Sequence, residues 1–342
     1  MEEAQIAQSI IKSNGLELEY NSQHDLKDLE LIYLGTGGFY VRYKESSALF
    51  DPFFSHHSFL SLPFKKVAPI PENIEQGLNQ ADLSQTKHIF ISHSHYDHLL
   101  DAPYVLTEKL GEDARLYGSS ATQVLLKNAL DSTRIVDMTE AAKNPLDDSD
   151  GYSWIKVSDN IRVLPVLADH APHFKLVFPI SLYNKKPKPI PGYNSTSDKT
   201  KASKWQRGCT FSFLIDIMEG DQVIFRLFLQ SSAADSPYGR PPQEVLDERK
   251  VDLAMLGGAS FGYTAEKEYP DYLIKALAPQ RVLVCHWEDF FRPFAEENPR
   301  FVRFTNFKRF LLKLNEAYPL DVSIKDRYFL PRPGCKITFN SN

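Results

Sequence analysis

The chain has 342 residues, 42% of them hydrophobic and 24% charged, and a net charge of -5. That balance suits a globular protein of one large or two ordinary domains with a sizeable core, and the acidic excess argues against a broad nucleic-acid-binding face. No apolar run approaches the roughly 18 residues of a membrane span. The acidic Met1-Glu2-Glu3-Ala4 lacks the basic and apolar regions of a secretory signal, so a cytoplasmic protein is expected.

Residues 4–12 place Ile6, Ile10 and Ile11 at helical spacing; with the polar stretch to Lys27 they read as an N-terminal extension, residues 1–28. Short strands joined as hairpins are expected at 29–34, 39–43 and 48–50. Between the first two, Gly35-Thr36-Gly37-Gly38 carries turn chemistry and lacks the spacing of a dinucleotide fingerprint. An irregular, proline-containing stretch then runs to Glu72 and holds His56 and His57, either substrate contacts or residues of a surface loop.

From His88 strands and helices alternate: a strand at 88–92, a helix from 99 to 110, a strand at 115–117, a helix over 119–130 and a strand at 134–136. Strands return at 153–157, 162–168, 210–217 and 223–230. They are followed by a strand at 251–256, a helix near 265–278, a strand at 281–285 and a helix over 306–318. Strand-rich blocks interleaved with helices predict an α/β chain of two packed sheets with helices outside. Residues 174–208 show no clear periodicity and interleave basic residues from Lys175 to Arg207 with Phe178, Tyr183, Tyr193 and Trp205. A loop of that length in a compact domain is a lid candidate for an anionic substrate, or a solvated basic loop. Cys209, Cys285 and Cys335 are too widely spaced for a disulfide framework or a zinc ribbon and read as small buried residues.

The densest chemistry is His93-Ser94-His95-Tyr96-Asp97-His98, four metal-competent side chains within six residues. If the strand continues to Asp97, then His93, His95 and Asp97 share one side by alternation. His98 joins them only if the chain turns there. His170 and His286 each follow an apolar strand candidate, the placement a sheet scaffold needs to aim side chains into one site.

The run Ile89-Phe90-Ile91-Ser92-His93-Ser94-His95-Tyr96-Asp97-His98 resembles the HxHxDH signature of the metallo-β-lactamase superfamily. In the family's order, Leu49-Phe50-Asp51-Pro52 resembles its early strand-end Asp, His170 its third histidine, residues 251–258 its late strand and glycine turn, and His286 its last histidine. The resemblance spans about residues 29 to 335. It implies a four-layer αββα sandwich of two mixed sheets over residues 29–342, with metal at one edge and the lid insertion at 174–208. Carried over residue by residue, it implies that His93, His95 and His170 hold one metal and Asp97, His98 and His286 a second. Asp51 would orient the ligand loop from behind. His173 competes with His170, which is favoured because it directly follows the strand. Where the family has an Asp bridging the two metals, this chain reads Gln230-Ser231-Ser232-Ala233, so Ser231 stands in for a carboxylate; Asp235 could supply the missing oxygen from a shifted turn.

Divalent metal on imidazoles lowers the pKa of bound water to roughly 7 and polarises a carbonyl or phosphoryl oxygen. The expectation is therefore a metal-dependent hydrolase that uses a metal-bound hydroxide on a small ester, phosphodiester or lactone, with His95 and Asp97 catalytic and Asp97 positioning the nucleophile. Zinc suits the ligands, one or two ions; manganese and ferrous iron suit them as well. Tyr96, Asp51-Pro52-Phe53-Phe54 and Trp205-Gln206-Arg207-Gly208 resemble the branch containing N-acyl-phosphatidylethanolamine phospholipase D and the sugar-phosphate lactonases, which implies an anionic or lipid-like small-molecule substrate and no nucleic-acid partner. Two alternatives stand beside it: a non-catalytic or mononuclear binding variant, motivated by Ser231, and an iron-dependent oxidoreductase of the same superfamily.

Overall fold

The computed structural model describes residues 11–12, 15–20, 24–62, 65–147, 149–171, 188, 200–259, 261, 268–294, 296–317 and 328–341. In chain order its strands are β1 (Ile11–Lys12), β2 (Leu16–Tyr20), β3 (Leu29–Gly35), β4 (Gly38–Tyr43), β5 (Ser46–Phe50), β6 (Lys66–Val67), β7 (Thr86–Phe90), β8 (Arg115–Gly118) and β9 (Ile135–Asp137). There follow β10 (Ile155–Lys156), β11 (Ile161–Ala168), β12 (Thr200–Lys201), β13 (Thr210–Glu219), β14 (Gln222–Gln230), β15 (Leu253–Gly257), β16 (Arg281–Cys285), β17 (Tyr328–Pro331) and β18 (Cys335–Ser341). The helices are α1 (Pro71–Leu78), α2 (Tyr96–Leu99), α3 (Ala102–Glu108), α4 (Ser120–Leu126), α5 (Gln243–Glu248), α6 (Asp271–Leu277) and α7 (Phe307–Ala317).

Two eight-stranded mixed sheets make the body, in the orders β1-β17-β16-β15-β14-β13-β11-β10 and β2-β18-β3-β4-β5-β7-β8-β9. Strand β3 is buried along its whole length and β13 everywhere but its last residue. Such strands read as apolar runs rather than alternations because both faces are covered. Aromatic rings join the sheets: Phe213 of β13 lies 5.4 Å from Phe50 of β5 and 5.8 Å from Phe90 of β7. At the other end Tyr20 and Phe339 pack on Phe225, at 5.0 and 5.1 Å. Helix α7 buries Phe307, Phe310, Leu311 and Leu314, the i, i+3, i+4, i+7 stripe of a helix lying on a core. This is the αββα sandwich that the motif implied.

Strands β5, β7, β8 and β9 run parallel, as do β14, β15, β16 and β17, and β11 shares the direction of β14 through the intervening antiparallel β13. Asp51, His93, His170, Ser231 and His286 all lie just past the carboxyl ends of such strands. Both sheets therefore deliver chemistry to one edge, the usual place for a site on open α/β sheets.

Several expectations change. Residues 11–12 pair with β17 and residues 16–20 with β18, so the segment before residue 29 supplies edge strands to both sheets rather than standing apart from them. Helical spacing at 4–12 gives way to a strand at its described end, Ile11–Lys12; residues 4–10 lie outside the described residues. Helix α1 starts at the end of the stretch expected to be irregular up to Glu72 and runs past it, where no element was expected: Pro71 sits in its first turn, where a missing N–H costs nothing, and Gly77 lets it approach Phe54, whose ring a Cβ would meet. Most of the lid candidate, and His173 just before it, lies outside the described residues. Among the described residues no helix is long and apolar enough to cross a membrane.

Candidate metal centre

The motif does not continue as a strand. Ladder pairing ends at Phe90, and Tyr96 to Leu99 form a helical turn capped by His95 in extended conformation. This corrects the alternation reading, which put Asp97 on the side of His93 and His95. The helical turn instead sends Asp97 and His98 to a second cluster.

The structure brings His93, His95 and His170 together, with one ligand atom from each lying within 4.8 Å of the others. Their rings form a near-equilateral set, 4.7, 4.7 and 4.8 Å apart between centroids. Asp97, His98 and His286 form a second group by the same measure. There Asp97 Oδ2 stands 3.8 Å from His98 Nε2 and 3.5 Å from His286 Nε2. Metal bonds of about 2.0–2.2 Å in tetrahedral arrangement separate ligand atoms by about 3.4 Å. The second triad is already near that spacing. His93 and His98, 4.0 Å apart between ring centres, connect the two groups.

Proton bookkeeping behind the histidines supports the fit. Asp51, fully buried, accepts from the Ser92 backbone N–H at 2.7 Å, from Ser92 Oγ at 2.5 Å and from His98 Nδ1 at 2.8 Å. A carboxylate only accepts, so His98 carries a proton on Nδ1, and the opposite nitrogen, Nε2, faces Asp97 at 3.8 Å. Having given its one hydrogen to Asp51, the Ser92 hydroxyl must accept from its other neighbours, His93 Nδ1 at 3.1 Å and Ser231 Oγ at 2.9 Å. His93 is thereby also protonated on Nδ1. Its Nε2 is buried with no hydrogen-bond partner among the described residues, as a lone pair awaiting an electrophile would be. His170 donates Nδ1–H to the Ala171 carbonyl at 2.6 Å, which leaves Nε2 as the ring's other nitrogen. Three histidines thus present the same nitrogen, and Asp51 governs one of them directly and another through Ser92.

Electrostatics divides the groups. Burial and the neighbouring imidazoles of His98, His170 and His95 hold His93 well below the usual histidine range, hence neutral. Burial works against charge on His98 as well, but the Asp51 and Asp97 carboxylates outweigh it and raise its pKa. Burial opposes ionisation of Asp97, yet His98 and His286 overcome it and hold the carboxyl below the ordinary carboxylate range.

Ser231 occupies the strand end where the bridging acid was expected, 1% exposed. Its hydroxyl is turned to Ser92, and Gly37 closes over it so tightly that a Cβ there would lie 2.8 Å from both Ser231 Cβ and His98 Cε1. Asp235 uses Oδ1 to accept the backbone N–H groups of Glu268 and Tyr269, at 3.1 and 3.0 Å. His56 and His57 lie half-buried in the loop after β5 and are held by main-chain carbonyls. His56 Nδ1 donates to the Arg292 carbonyl at 3.0 Å, stacks on Phe53, and is pushed down to about 4 by burial, while His57 Nε2 meets the Ala68 carbonyl at 2.9 Å.

Three further residues contribute in ways that were not legible beforehand. Arg207 fastens the lid candidate's base: its carbonyl accepts the Ser94 N–H at 2.9 Å and its guanidinium pairs with Asp169, beside His170, at 2.9 Å. Glu288 lies buried behind His286. Ser92 was visible only as the residue before the motif.

No family model matches the sequence, and no curated protein matches it. Solved structures do match across nearly the whole chain. Igni18, a metallo hydrolase from Ignicoccus hospitalis, superposes with a TM-score of 0.52 at 15% identity, covering 92% of this chain and 99% of its own. A possible metal-dependent hydrolase from Veillonella parvula gives 0.51 at 10% identity, over 90% and 98%. An isothiocyanate hydrolase from Delia radicum gut bacteria gives 0.50 at 13% identity, over 91% and 100%. At such identities the likeness concerns architecture alone. Layer order, strand-end site and motif together agree with it: the chain has the metallo-β-lactamase fold.

Proposed function

We propose that the protein is a metal-dependent hydrolase of a small ester, phosphodiester or lactone. The observation that carries this is the pair of triads, His93, His95 and His170 beside Asp97, His98 and His286, each with its ligand atoms within 4.8 Å of one another. His93, His95 and His170 would hold one divalent ion, zinc for preference, and Asp97, His98 and His286 a second. An ion so held, on mostly neutral ligands, supplies a water of lowered pKa and a Lewis acid for the substrate oxygen.

The chain's own residues do the rest. Asp97 is an ionised acceptor between two imidazoles, set to orient a water by its hydrogen bond. Asp51 and Ser92 keep the histidines in the binding tautomer through turnover. Ser231, whose hydrogen is committed to Ser92, keeps lone pairs to accept a hydrogen bond at the place of the missing acid. Support for an apolar substrate portion comes from the flank of His286: Phe290 packs 5.1 Å from its ring, and Phe291, Phe59 and Phe304 continue to the surface, where Phe304 is 39% exposed. Arg303 lies over Phe59 at 5.8 Å with its guanidinium paired to Asp289 at 3.0 Å, so the aromatic run supports an apolar substrate portion, and an anionic or lipid-like molecule rests on the phospholipase and lactonase resemblance.

Purified protein assayed on phosphodiester and lactone probes, with and without chelator, tests the reading. Chelation and His95→Ala are each expected to abolish turnover; full activity in metal-free protein would sink it. Ser231 favours one second reading, a single-ion form. One ion per chain together with unchanged activity in His286→Ala would establish that form.

A further inference from the structure

We infer, on the metal-centre reading above, that Glu288 is a positioning residue for His286 and thereby sets the Asp97–His98–His286 centre. His286 is the first residue past β16 and has a φ of 52°, in the left-handed region. Non-glycine residues hold that conformation only where the surroundings over-determine it, and such positions gather at functional sites. What over-determines it is a closed set of hydrogen bonds from the opposite sheet. The His286 N–H donates to the Thr36 carbonyl at 2.6 Å and approaches Tyr33 Oη at 3.1 Å. Thr36 is itself left-handed, at a φ of 53°.

Glu288 closes the set. Its Oε2 accepts from the Tyr33 hydroxyl at 2.5 Å, and its Oε1 accepts the Thr36 backbone N–H. The side chain is 3% exposed, and Gly35 makes room for it: a Cβ there would lie 3.3 Å from Oε1. One carboxylate therefore clasps the β3–β4 turn of one sheet to the end of β16 in the other. Both clasped pieces reach the site, the turn through Gly37 against His98 and the strand end through His286 itself. Without the clasp His286 can relax to an extended φ, which swings its Cα–Cβ bond away from Asp97. Among the described residues the hydrogen bonds of the Glu288 carboxylate run to Tyr33 and Thr36, on the His286 side, so its removal should be felt chiefly at that centre.

The test is a Co2+ titration of the metal-free full chain, followed by visible absorption and calorimetry, on wild type, Glu288→Ala, Glu288→Gln, Tyr33→Phe and His286→Ala. His286→Ala identifies the uptake step that belongs to the second centre. Glu288→Ala should weaken that step by about 10–100-fold, the usual cost of losing a group behind a ligand, and leave the other step unchanged. Glu288→Gln should restore it, since an amide oxygen still accepts from Thr36 while the Tyr33 hydroxyl turns to the Thr36 carbonyl, 3.0 Å away. Tyr33→Phe should fall between, and decides the matter if the alanine variant does not fold by circular dichroism. Equal weakening of both steps, or of neither, overturns the inference. Wild type that takes up no ion overturns the metal-centre reading itself, and wild type limited to one ion removes the second centre and Glu288's role together.

Discussion

Asp51→Asn probes the group on which both triads depend. The carboxylate receives three donors, Ser92 N–H at 2.7 Å, Ser92 Oγ at 2.5 Å and His98 Nδ1 at 2.8 Å, and an amide offers only one oxygen. If that oxygen faces Ser92 Oγ and His98, the amide NH2 opposes the Ser92 N–H, and a buried unmade backbone bond costs about 1–3 kcal/mol. If it faces the Ser92 N–H instead, the NH2 opposes His98 Nδ1, and His98 must move its proton to Nε2, the atom that faces Asp97 and His286. The first arrangement lowers stability and the second removes a ligand. In the second case metal affinity should fall by about 10–100-fold, or about 1.4–2.8 kcal/mol, and in the first the loss appears in stability. Competition for Zn2+ against a chromophoric chelator measures it, with urea unfolding of the metal-free protein alongside. Wild-type affinity and wild-type stability in the same variant would refute the proton bookkeeping drawn here.

Three other perturbations separate the site from its support. Gly37→Ala drives a Cβ to 2.8 Å from His98 Cε1 and Ser231 Cβ, so stability should drop by about 1–3 kcal/mol and uptake at the second centre should fall; a variant that binds metal normally would show that the turn yields. Burial lifts the Asp101 carboxyl to about 6, against the Ser55 and Phe54 hydrogen bonds that pull it down. Raised in the folded state, it favours folding below pH 4, where both states are protonated, and loses about 3 kcal/mol of stability as pH rises through 6. Asp101→Asn should abolish that loss, so the stability difference between variant and wild type should grow in the variant's favour from pH 4 to 6 by urea midpoint; a flat difference contradicts it. Asp216→Ala strips fully buried Arg226 of both its carboxylate bonds, 2.6 and 3.0 Å, and should cost about 3–5 kcal/mol while leaving the metal content of folded protein unchanged.

Legibility in the sequence followed the range of the interactions. The strands at 29–35, 38–43, 161–168 and 281–285 were readable because apolar runs bounded by turn residues are local signals. Edge strands β1 and β2 and their neighbours β17 and β18 escaped because short or mixed segments acquire strand character from the strands they pair with. Helix α1 hid behind Pro71, which reads as a breaker except at a helix start. The hexapeptide announced metal chemistry through density alone. Its division between two clusters did not follow from alternation, since the helical turn at Tyr96 is set by tertiary packing. Ser92 and Glu288 act through partners 41 and 252 residues away in sequence, Asp51 and Thr36, and such partnerships leave no spacing to read.

Metal content with location bears most directly on the proposal. Protein purified without chelator and crystallised should show two anomalous peaks, one among His93, His95 and His170 and one among Asp97, His98 and His286, with matching divalent ions by elemental analysis. Protein that purifies without divalent metal, fails to take it up when offered, or seats it away from both triads would contradict the metal-centre reading at its root.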